Sequence, residues 1–273
     1  MAALEGRISR LPVTIRRITD IDRSGHWLAA GWRDFLAAPR VSLIYGAGFV
    51  ILGNLLTLGL WLAGLDSLVL PLAGGFIILA PLLVVGLYDV SRRLEANQPV
   101  SVADVFSAFR ANLSQLSAMG VVLLIAFLVW IEVALFLFML FFSDAPPPLD
   151  TFIGDVLFSL RGAPLLLLGT LVGALFAGIV FSVTAVSVPL IYDRPFDVVT
   201  AISISLLCVQ LNFRVMFGWA GLIAVLTAIG LVTSFLGLLV AMPVLAFATW
   251  HAYRDLIEPA PAVEEAAFPA AVI

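Results

Sequence analysis

Long uncharged apolar runs alternate along the chain with short segments that carry nearly all of the charge. A helix that crosses the roughly 30 Å hydrocarbon core of a membrane needs about 20 apolar residues. Backbone polar groups in lipid have to be paired within the segment, so such runs are expected to be helices. Four runs have the required length, at 41–64, 67–88, 116–142 and 162–192, and the third is interrupted only by Glu132.

The last apolar run, 215–253, is too long for one crossing. Its 39 residues carry no formal charge when His251 is neutral, and a straight helix of that length would extend about 58 Å. Gly230, Thr233 and Gly237 are compatible with a turn near its middle. The pattern therefore predicts two spans, 215–232 and 235–253, and six spans in the whole chain.

Segment 196–213 is apolar but contains Ser203, Ser205 and Gln210. It could be a seventh span or an amphipathic helix lying at the membrane surface. Its uncharged stretch is short, which favours the surface helix. The expected fold class is therefore an all-α polytopic membrane protein with about six spans and additional interfacial amphipathic helices.

Arginine placement predicts the orientation, because cytoplasmic loops of membrane proteins are enriched in basic residues. Six spans place the segments 1–40, 89–115, 193–214 and 254–273 on one side, and 13 of the 14 arginines fall there. Both termini are therefore expected in the cytoplasm. The predicted organisation is a cytoplasmic arm (1–24), one membrane domain (25–256) and a disordered tail (257–273).

Two distant segments share a proline, an aromatic residue at +7, arginine at +11 and leucine at +13. They are Pro81, Tyr88, Arg92 and Leu94 in one segment, and Pro243, Trp250, Arg254 and Leu256 in the other. Pro189 and Tyr192 echo this pattern at shorter spacing, and amphipathic segments at 25–39, 102–115 and 196–212 precede alternate spans. A threefold repeat of helical hairpins explains these features, and shared membrane composition is the alternative.

Composition agrees with a membrane protein, since 62% of the residues are hydrophobic and 12% are charged, against about one quarter charged in soluble domains. Cys208 is the single cysteine and cannot form an internal disulfide. His26 and His251 are the two histidines, too few for a haem–copper centre. No catalytic or phosphate-binding motif is visible, and no basic cluster suits nucleic acid. We expect neither an enzyme nor a metal or other cofactor.

Glu132 and Asn54 are the two polar residues deepest within predicted spans. An acidic residue inside a membrane usually faces the protein interior or water. Glu132 is thus a candidate proton or cation site, and the alternative is a protonated acid bonded to a neighbour such as Asn54. Asn54 itself is more typical of a hydrogen bond between helices.

Tyr88–Asp89 and Tyr192–Asp193 end the second and fourth spans beside arginines. They are candidates for a cytoplasmic ligand site, although interfacial anchoring with ion pairs is the simpler explanation. Gly169, Gly173 and Ala177 form a stripe of small residues that permits close helix contact, either within the chain or between copies.

Four sequence runs carry a family resemblance: IRRIT at 15–19, AGWRDF at 30–35, GLYDVSRRLE at 86–95 and ATWHAYR at 248–254. Together they resemble the bacterial integral membrane family called domain of unknown function 2189. The resemblance implies a bacterial inner membrane and a polytopic helical fold, and it implies no activity. Some members carry a cytochrome c oxidase label, which leaves open an accessory place beside such a complex.

Two functional hypotheses remain open. The first is a non-catalytic scaffold or accessory subunit, whose partners are the lipid bilayer and either another membrane protein or further copies of the chain. The second is a small-solute or ion transporter that uses the carboxyl group of Glu132 within the membrane.

Overall fold

The structure of the protein is a computed structural model, and it describes residues 13–20, 22–65, 68–142, 159–160 and 162–258. Residues 1–12 of the predicted arm and 259–273 of the predicted tail lie outside the described residues. Within the described range the secondary structure is helical apart from one isolated antiparallel bridge between Ile15 and Ile257.

The helices are, in chain order, α1 (Arg23–Ala37), α2 (Pro39–Leu62), α3 (Val69–Leu83), α4 (Val85–Glu95), α5 (Val102–Ser107), α6 (Leu113–Phe142), α7 (Ala163–Thr184), α8 (Ser187–Asp193), α9 (Val198–Leu211), α10 (Phe213–Val232) and α11 (Leu238–Leu256). A 3-10 turn at Ala108–Arg110 follows α5. The predicted all-α class is confirmed.

Five stretches of the described chain are long and apolar enough to cross a membrane. They are Pro39–Leu62, Pro71–Glu95, Leu113–Phe142, Ala163–Asp193 and Phe213–Val232. Two of them combine consecutive helices, α3 with α4 and α7 with α8. The second break falls at Ala185–Val186, where Pro189 removes the backbone bond that would close the turn. These five stretches correspond to the first five predicted spans.

The sixth predicted span, 235–253, corresponds to α11, which has a different character. It ends in a polar segment that includes His251 and Asp255, and it is not among the five described stretches that are long and apolar enough to cross a membrane. The sixth span therefore stays a prediction. Neighbouring helices cover α11. A Cβ at Gly31 of α1 would lie 2.5 Å from the Val244 carbonyl oxygen, so α1 and α11 are in direct backbone contact.

The turn between α10 and α11 packs against α2 before the end of that helix is reached. The Asn54 amide donates to the Ser234 carbonyl at 3.1 Å, and Phe235 packs beside Gly53. α2 continues for eight residues past Asn54 to Leu62, which is about 12 Å of helix. The turn occurs among the residues predicted for it, and Ser234 and Phe235 adopt positive φ angles of 53° and 66°.

The three amphipathic segments form α1, α5 and α9. α9 has 14 residues, about 21 Å, so a seventh crossing at this place does not form. In α1, Trp27, Gly31 and Phe35 face the core while Trp32 and Leu36 are exposed. α1 packs on α11, α5 on α4, and α9 on α7 and α8. Each of the three predicted segments therefore packs on helices of a hairpin, α1 on the last one and α5 and α9 on the one that precedes them. The threefold repeat stays a prediction.

The first and last described residues of the chain also meet. The Arg16 amide donates to the Leu256 carbonyl at 2.8 Å, and the Glu258 amide donates to the Thr14 carbonyl at 3.1 Å. Ile257 is 1% exposed. Residues 13–20 of the predicted arm and 257–258 of the predicted tail thus pack together on the membrane domain.

Cys208 lies on the core side of α9 with no exposed surface, and this burial raises the pKa of its thiol to about 12. A thiol reacts with maleimide as the thiolate, so the folded protein should stay unlabelled at pH 7 in mild detergent. One equivalent should be incorporated after denaturation in dodecyl sulfate, as measured by intact mass. Rapid labelling of the folded protein would contradict this packing of α9.

Candidate functional site

Aromatic side chains from three distant parts of the chain meet where α4, α8 and α11 converge. Tyr88 stacks on Trp250, with ring centroids 6.2 Å apart and planes at 27°. Tyr192 meets Trp250 edge-on at 6.1 Å and 65°. These are the aromatic residues that the repeat pattern aligns after Pro81, Pro189 and Pro243. The positions that the predicted repeat aligns thus meet in the core.

Asp89 is the most buried carboxylate of this region, with 2% of its surface exposed. Its Oδ1 accepts hydrogen bonds from Arg92 Nη2 at 2.8 Å and from Tyr192 Oη at 2.5 Å. Its Oδ2 accepts from Arg93 Nε at 2.6 Å. The Arg92 guanidinium also lies 4.8 Å from the centre of the Tyr192 ring, a cation–π distance. Asp89 therefore ties α4 to α8.

Asp193 makes the corresponding link between α8 and α11. Its Oδ2 accepts from Tyr253 Oη at 2.6 Å. Arg194 Nε and Arg254 Nη1 lie 3.7 and 3.9 Å from the same oxygen. The sequence predicted both Tyr–Asp pairs as candidates, and the structure pairs each aspartate with a tyrosine of the next repeat. Tyr88, by contrast, is part of the aromatic core.

His251 closes the cycle by joining α11 to α1 and α4. Its Nε2 lies 2.8 Å from Asp34 Oδ2, and its Nδ1 lies 3.7 Å from Glu95 Oε1. Asp34 Oδ2 also accepts from Ser91 Oγ at 2.6 Å. The imidazole therefore sits between two carboxylates, each on a different helix.

Asp255 on α11 binds residues of α1 and of the segment before it. It accepts from Arg23 Nε at 2.6 Å and from Trp27 Nε1 at 2.9 Å. Arg16 Nη1 lies 3.4 Å away. Burial opposes ionisation of Asp255, but the hydrogen bonds from Arg23 and Trp27 outweigh it, so its pKa lies below its ordinary value. The carboxylate thus anchors α1 against α11 near neutral pH.

We refer to Asp34, Asp89, Glu95, Asp193, His251 and their arginine and tyrosine partners as the polar network. Each of these acidic groups contacts a donor or a cation that comes from the same chain. Arg92 and Arg254 are its most open members, with side chains 44% and 39% exposed. No group of three or more His, Cys, Asp and Glu side chains in the described residues could hold a metal ion. The polar network therefore joins helices through hydrogen bonds and ion pairs.

Glu132 lies far from the polar network, on the outward face of α6. Two residues earlier, Trp130 points inward and donates to the Pro71 carbonyl at 2.9 Å. Glu132 has no hydrogen-bond or ion-pair partner among the described residues. Asn54 donates instead to the carbonyls of Val50 and Ser234, at 2.9 and 3.1 Å. The two polar residues within spans therefore do not form a common site.

The small-residue stripe on α7 divides between two environments. A Cβ at Gly173 would lie 3.3 Å from the ring of Trp130, while one at Gly169 would have open space around it. Ala177 is exposed. Only the middle of the stripe contacts another helix of the described chain.

Sequence reasoning missed Asp34, Glu95, Tyr253 and Asp255 as parts of this region. The sequence feature that they share is their position, since each lies within a few residues of the arginine-rich end of a predicted helix. Which acid faces which base depends on contacts across as many as 239 sequence positions. No local spacing reveals such pairs.

The fold and the polar network define an integral membrane protein with several membrane-spanning helices. Residues 69–193 match the model of the family described as "predicted integral membrane protein", domain of unknown function 2189. The resemblance noted from the sequence is thereby confirmed. No curated protein and no solved structure matches the chain.

Proposed function

We propose that the chain is a non-catalytic scaffold or accessory subunit of a membrane complex, with a respiratory complex as the specific candidate. The observation that carries the proposal is the outward direction of Glu132. An acidic residue on the outside of a span calls for a protein neighbour, because lipid offers no partner for a carboxyl group.

The polar network supports the same proposal. Its charges are matched within the chain, and its side chains connect α1, α4, α8 and α11. Such a network fixes the mutual position of helices, which is what a scaffold needs. We therefore propose that the chain performs no catalysis of its own.

The transporter alternative depended on a carboxyl group along a path through the chain. Glu132 points away from the other helices, and Asn54 uses its amide to hold the turn between α10 and α11. Neither residue lines a path between helices in the described structure. The alternative therefore loses the site on which it rested.

We propose the bacterial inner membrane as the location, with both termini in the cytoplasm. Thr14 and Glu258 are hydrogen-bonded to each other, so both ends of the described chain lie on one side. The arginines of the polar network lie on that side too, and basic residues favour the cytoplasmic face.

Affinity purification of the tagged chain from native membranes in a mild detergent tests the proposed role. We expect a second, different membrane protein in fixed stoichiometry after size-exclusion chromatography, identified by mass spectrometry. An unrelated six-span protein with the same tag controls for carry-over. A preparation that contains this chain alone, from membranes that express all native partners, would count against the accessory-subunit role.

A further inference from the structure

Three arginines lie where membrane-spanning stretches begin. Arg40 is the second residue of α2, Arg110 ends the 3-10 turn three residues before α6, and Arg214 is the second residue of α10. The three helices are the first, third and fifth stretches that can cross a membrane, so their starting ends lie on one side of it. We call Arg40, Arg110 and Arg214 the corner arginines.

The corner arginines are exposed, and none of them has an ion-pair or hydrogen-bond partner among the described residues. The arginines of the polar network differ in this respect, because Arg92, Arg93 and Arg254 each have a carboxylate oxygen within 3.4 Å. A guanidinium group presents five N–H donors and a fixed positive charge. At the three corners both are available to a molecule outside the chain.

The acidic residue nearest in sequence to each corner arginine is engaged by another group. Asp34 lies 2.8 Å from His251 Nε2, and Asp104 lies 3.2 Å from Arg93. Asp197 caps α9 by accepting from two backbone N–H groups at the start of that helix. Because these carboxylates are held elsewhere, the counter-charge of a corner arginine comes from outside the described chain.

Each corner arginine is followed three residues later by a large, exposed apolar side chain. These are Leu43, Leu113 and Phe217, which are 41%, 61% and 70% exposed. A step of three residues keeps two side chains on about the same side of a helix, and the later residue lies further along the span. Each corner therefore presents a cation at the membrane surface and an apolar contact on the side of the hydrocarbon.

We propose that the corner arginines bind the phosphate groups of anionic phospholipids, with Leu43, Leu113 and Phe217 against the acyl chains. Guanidinium groups bind phosphate through two parallel hydrogen bonds, and basic residues at a membrane surface attract anionic lipid. The apolar contact at each corner favours a lipid over free phosphate. The recurrence of the arrangement at three separate span starts, where headgroups necessarily lie, favours a lipid over one protein partner.

This lipid contact goes beyond the proposed function, because it concerns the bilayer and not a protein of the same complex. It also holds for either orientation of the chain, since the three corners lie on one side in both cases. The two proposals have separate readouts, namely the preference for a lipid headgroup here and the recovery of a second protein above.

Native mass spectrometry of the purified chain in mild detergent tests the proposal by counting bound lipids during a titration. We expect tighter binding of phosphatidylglycerol than of phosphatidylethanolamine, whose ammonium group offsets the charge of the phosphate. Replacing all three corner arginines with glutamine should lower the affinity for phosphatidylglycerol about fivefold at each position. Binding of phosphatidylethanolamine should stay close to its native level.

Single variants supply a control that is matched in charge. Arg110→Gln and Arg17→Gln each remove one exposed arginine that has no ion-pair partner among the described residues, but Arg17 lies in the segment before α1 and not at the start of a span. Arg110→Gln should weaken phosphatidylglycerol binding, whereas Arg17→Gln should bind like the native chain. Replacing the corner arginines with lysine keeps the charge and should keep most of the preference. Since all these positions are exposed, the variants should fold, which a monodisperse size-exclusion profile checks.

Three outcomes would overturn the proposal. The first is a native preference for phosphatidylglycerol in the triple glutamine variant, or an equal loss in Arg17→Gln and Arg110→Gln, because the lipid would then respond only to net charge or to other residues. The second is displacement of phosphatidylglycerol by inorganic phosphate at the same concentration, which would indicate a site for the free ion. The third is an unchanged lipid preference combined with loss of a copurified protein, which would assign the corner arginines to a protein partner.

Discussion

Gly46→Ala is expected to destabilise the folded protein by about 3 kcal/mol, near the upper end of the range for overpacking a core. A methyl group at position 46 of α2 would overlap the carbonyl oxygen of Leu239 on α11 and lie 2.8 Å from its carbonyl carbon. Backbone atoms cannot rotate away as a side chain can, so one of the two helices has to move. The melting temperature in mild detergent should fall by about 6–12 °C.

Gly48→Ala is the matched control for this prediction. Gly48 lies on the same helix two residues away, and a Cβ there would meet nothing within 4 Å. Alanine is a better helix former than glycine by about 0.5–1 kcal/mol, so this variant should be unchanged or slightly more stable. Equal melting temperatures for the two variants, measured by heating followed by size-exclusion chromatography, would contradict the close packing of α2 and α11.

The close contact at Gly46 also bears on α11, the helix that corresponds to the sixth predicted span. An apolar run identifies a helix that faces lipid, whereas α11 is covered by α1 and α2 and can carry His251 and Asp255. The other five stretches follow from apolar runs of about 20 residues, of which only the third contains a charged residue, Glu132. α9 is limited at its start by Asp197, whose side chain caps the helix, and it ends before Asn212.

The direction in which Glu132 points could not be predicted from the sequence, for a physical reason. α6 is apolar all round, so its sequence contains no polar stripe that would distinguish the inside from the outside. Its orientation is fixed by Trp130 and Phe127, which insert against glycines of other helices. The sequence shows where the glycines are, but it does not show which side chains pack against them.

The polar network divides in the same way between local and distant contacts. The ion pairs of Asp89 with Arg92 and Arg93 are three and four residues apart, and helical spacing predicts them. The hydrogen bond from Tyr192 spans 103 residues and depends on how the repeats close into a ring. The sequence thus indicated the residues at this site, and the fold decided which of them meet.

Asp89→Asn is expected to destabilise the protein by about 2–3 kcal/mol. Removing one partner of a buried ion pair leaves the other charges unsatisfied, at about 3–5 kcal/mol where both partners are buried. Here Arg92 and Arg93 are partly exposed and can turn toward water, so the cost is smaller. The amide of asparagine would also point a donor at groups that are themselves donors. Chemical unfolding in mixed micelles, followed by tryptophan fluorescence, measures the loss.

Asp104→Asn is the control, because Asp104 also contacts Arg93, at 3.2 Å, but lies nearer the surface. Its replacement should have a small effect, since exposed ion pairs contribute little. Tyr192→Phe removes only the hydroxyl and should cost about 1–2 kcal/mol. Combined with Asp89→Asn it should cost less than the sum of the two, because both changes remove the same hydrogen bond.

These variants also separate a helix-joining network from a ligand site. If the network joins helices, the Asp89 and Tyr192 variants that lose the most stability should also lose the most of any partner recovered by purification. A ligand site predicts a variant that melts like the native protein and yet loses its partner or its effect in cells. A ligand site would be indicated if Asp89→Asn melted like the native protein and yet lost its partner. That result would contradict the role assigned to the polar network, because losing three hydrogen bonds that join helices should lower the stability of the fold.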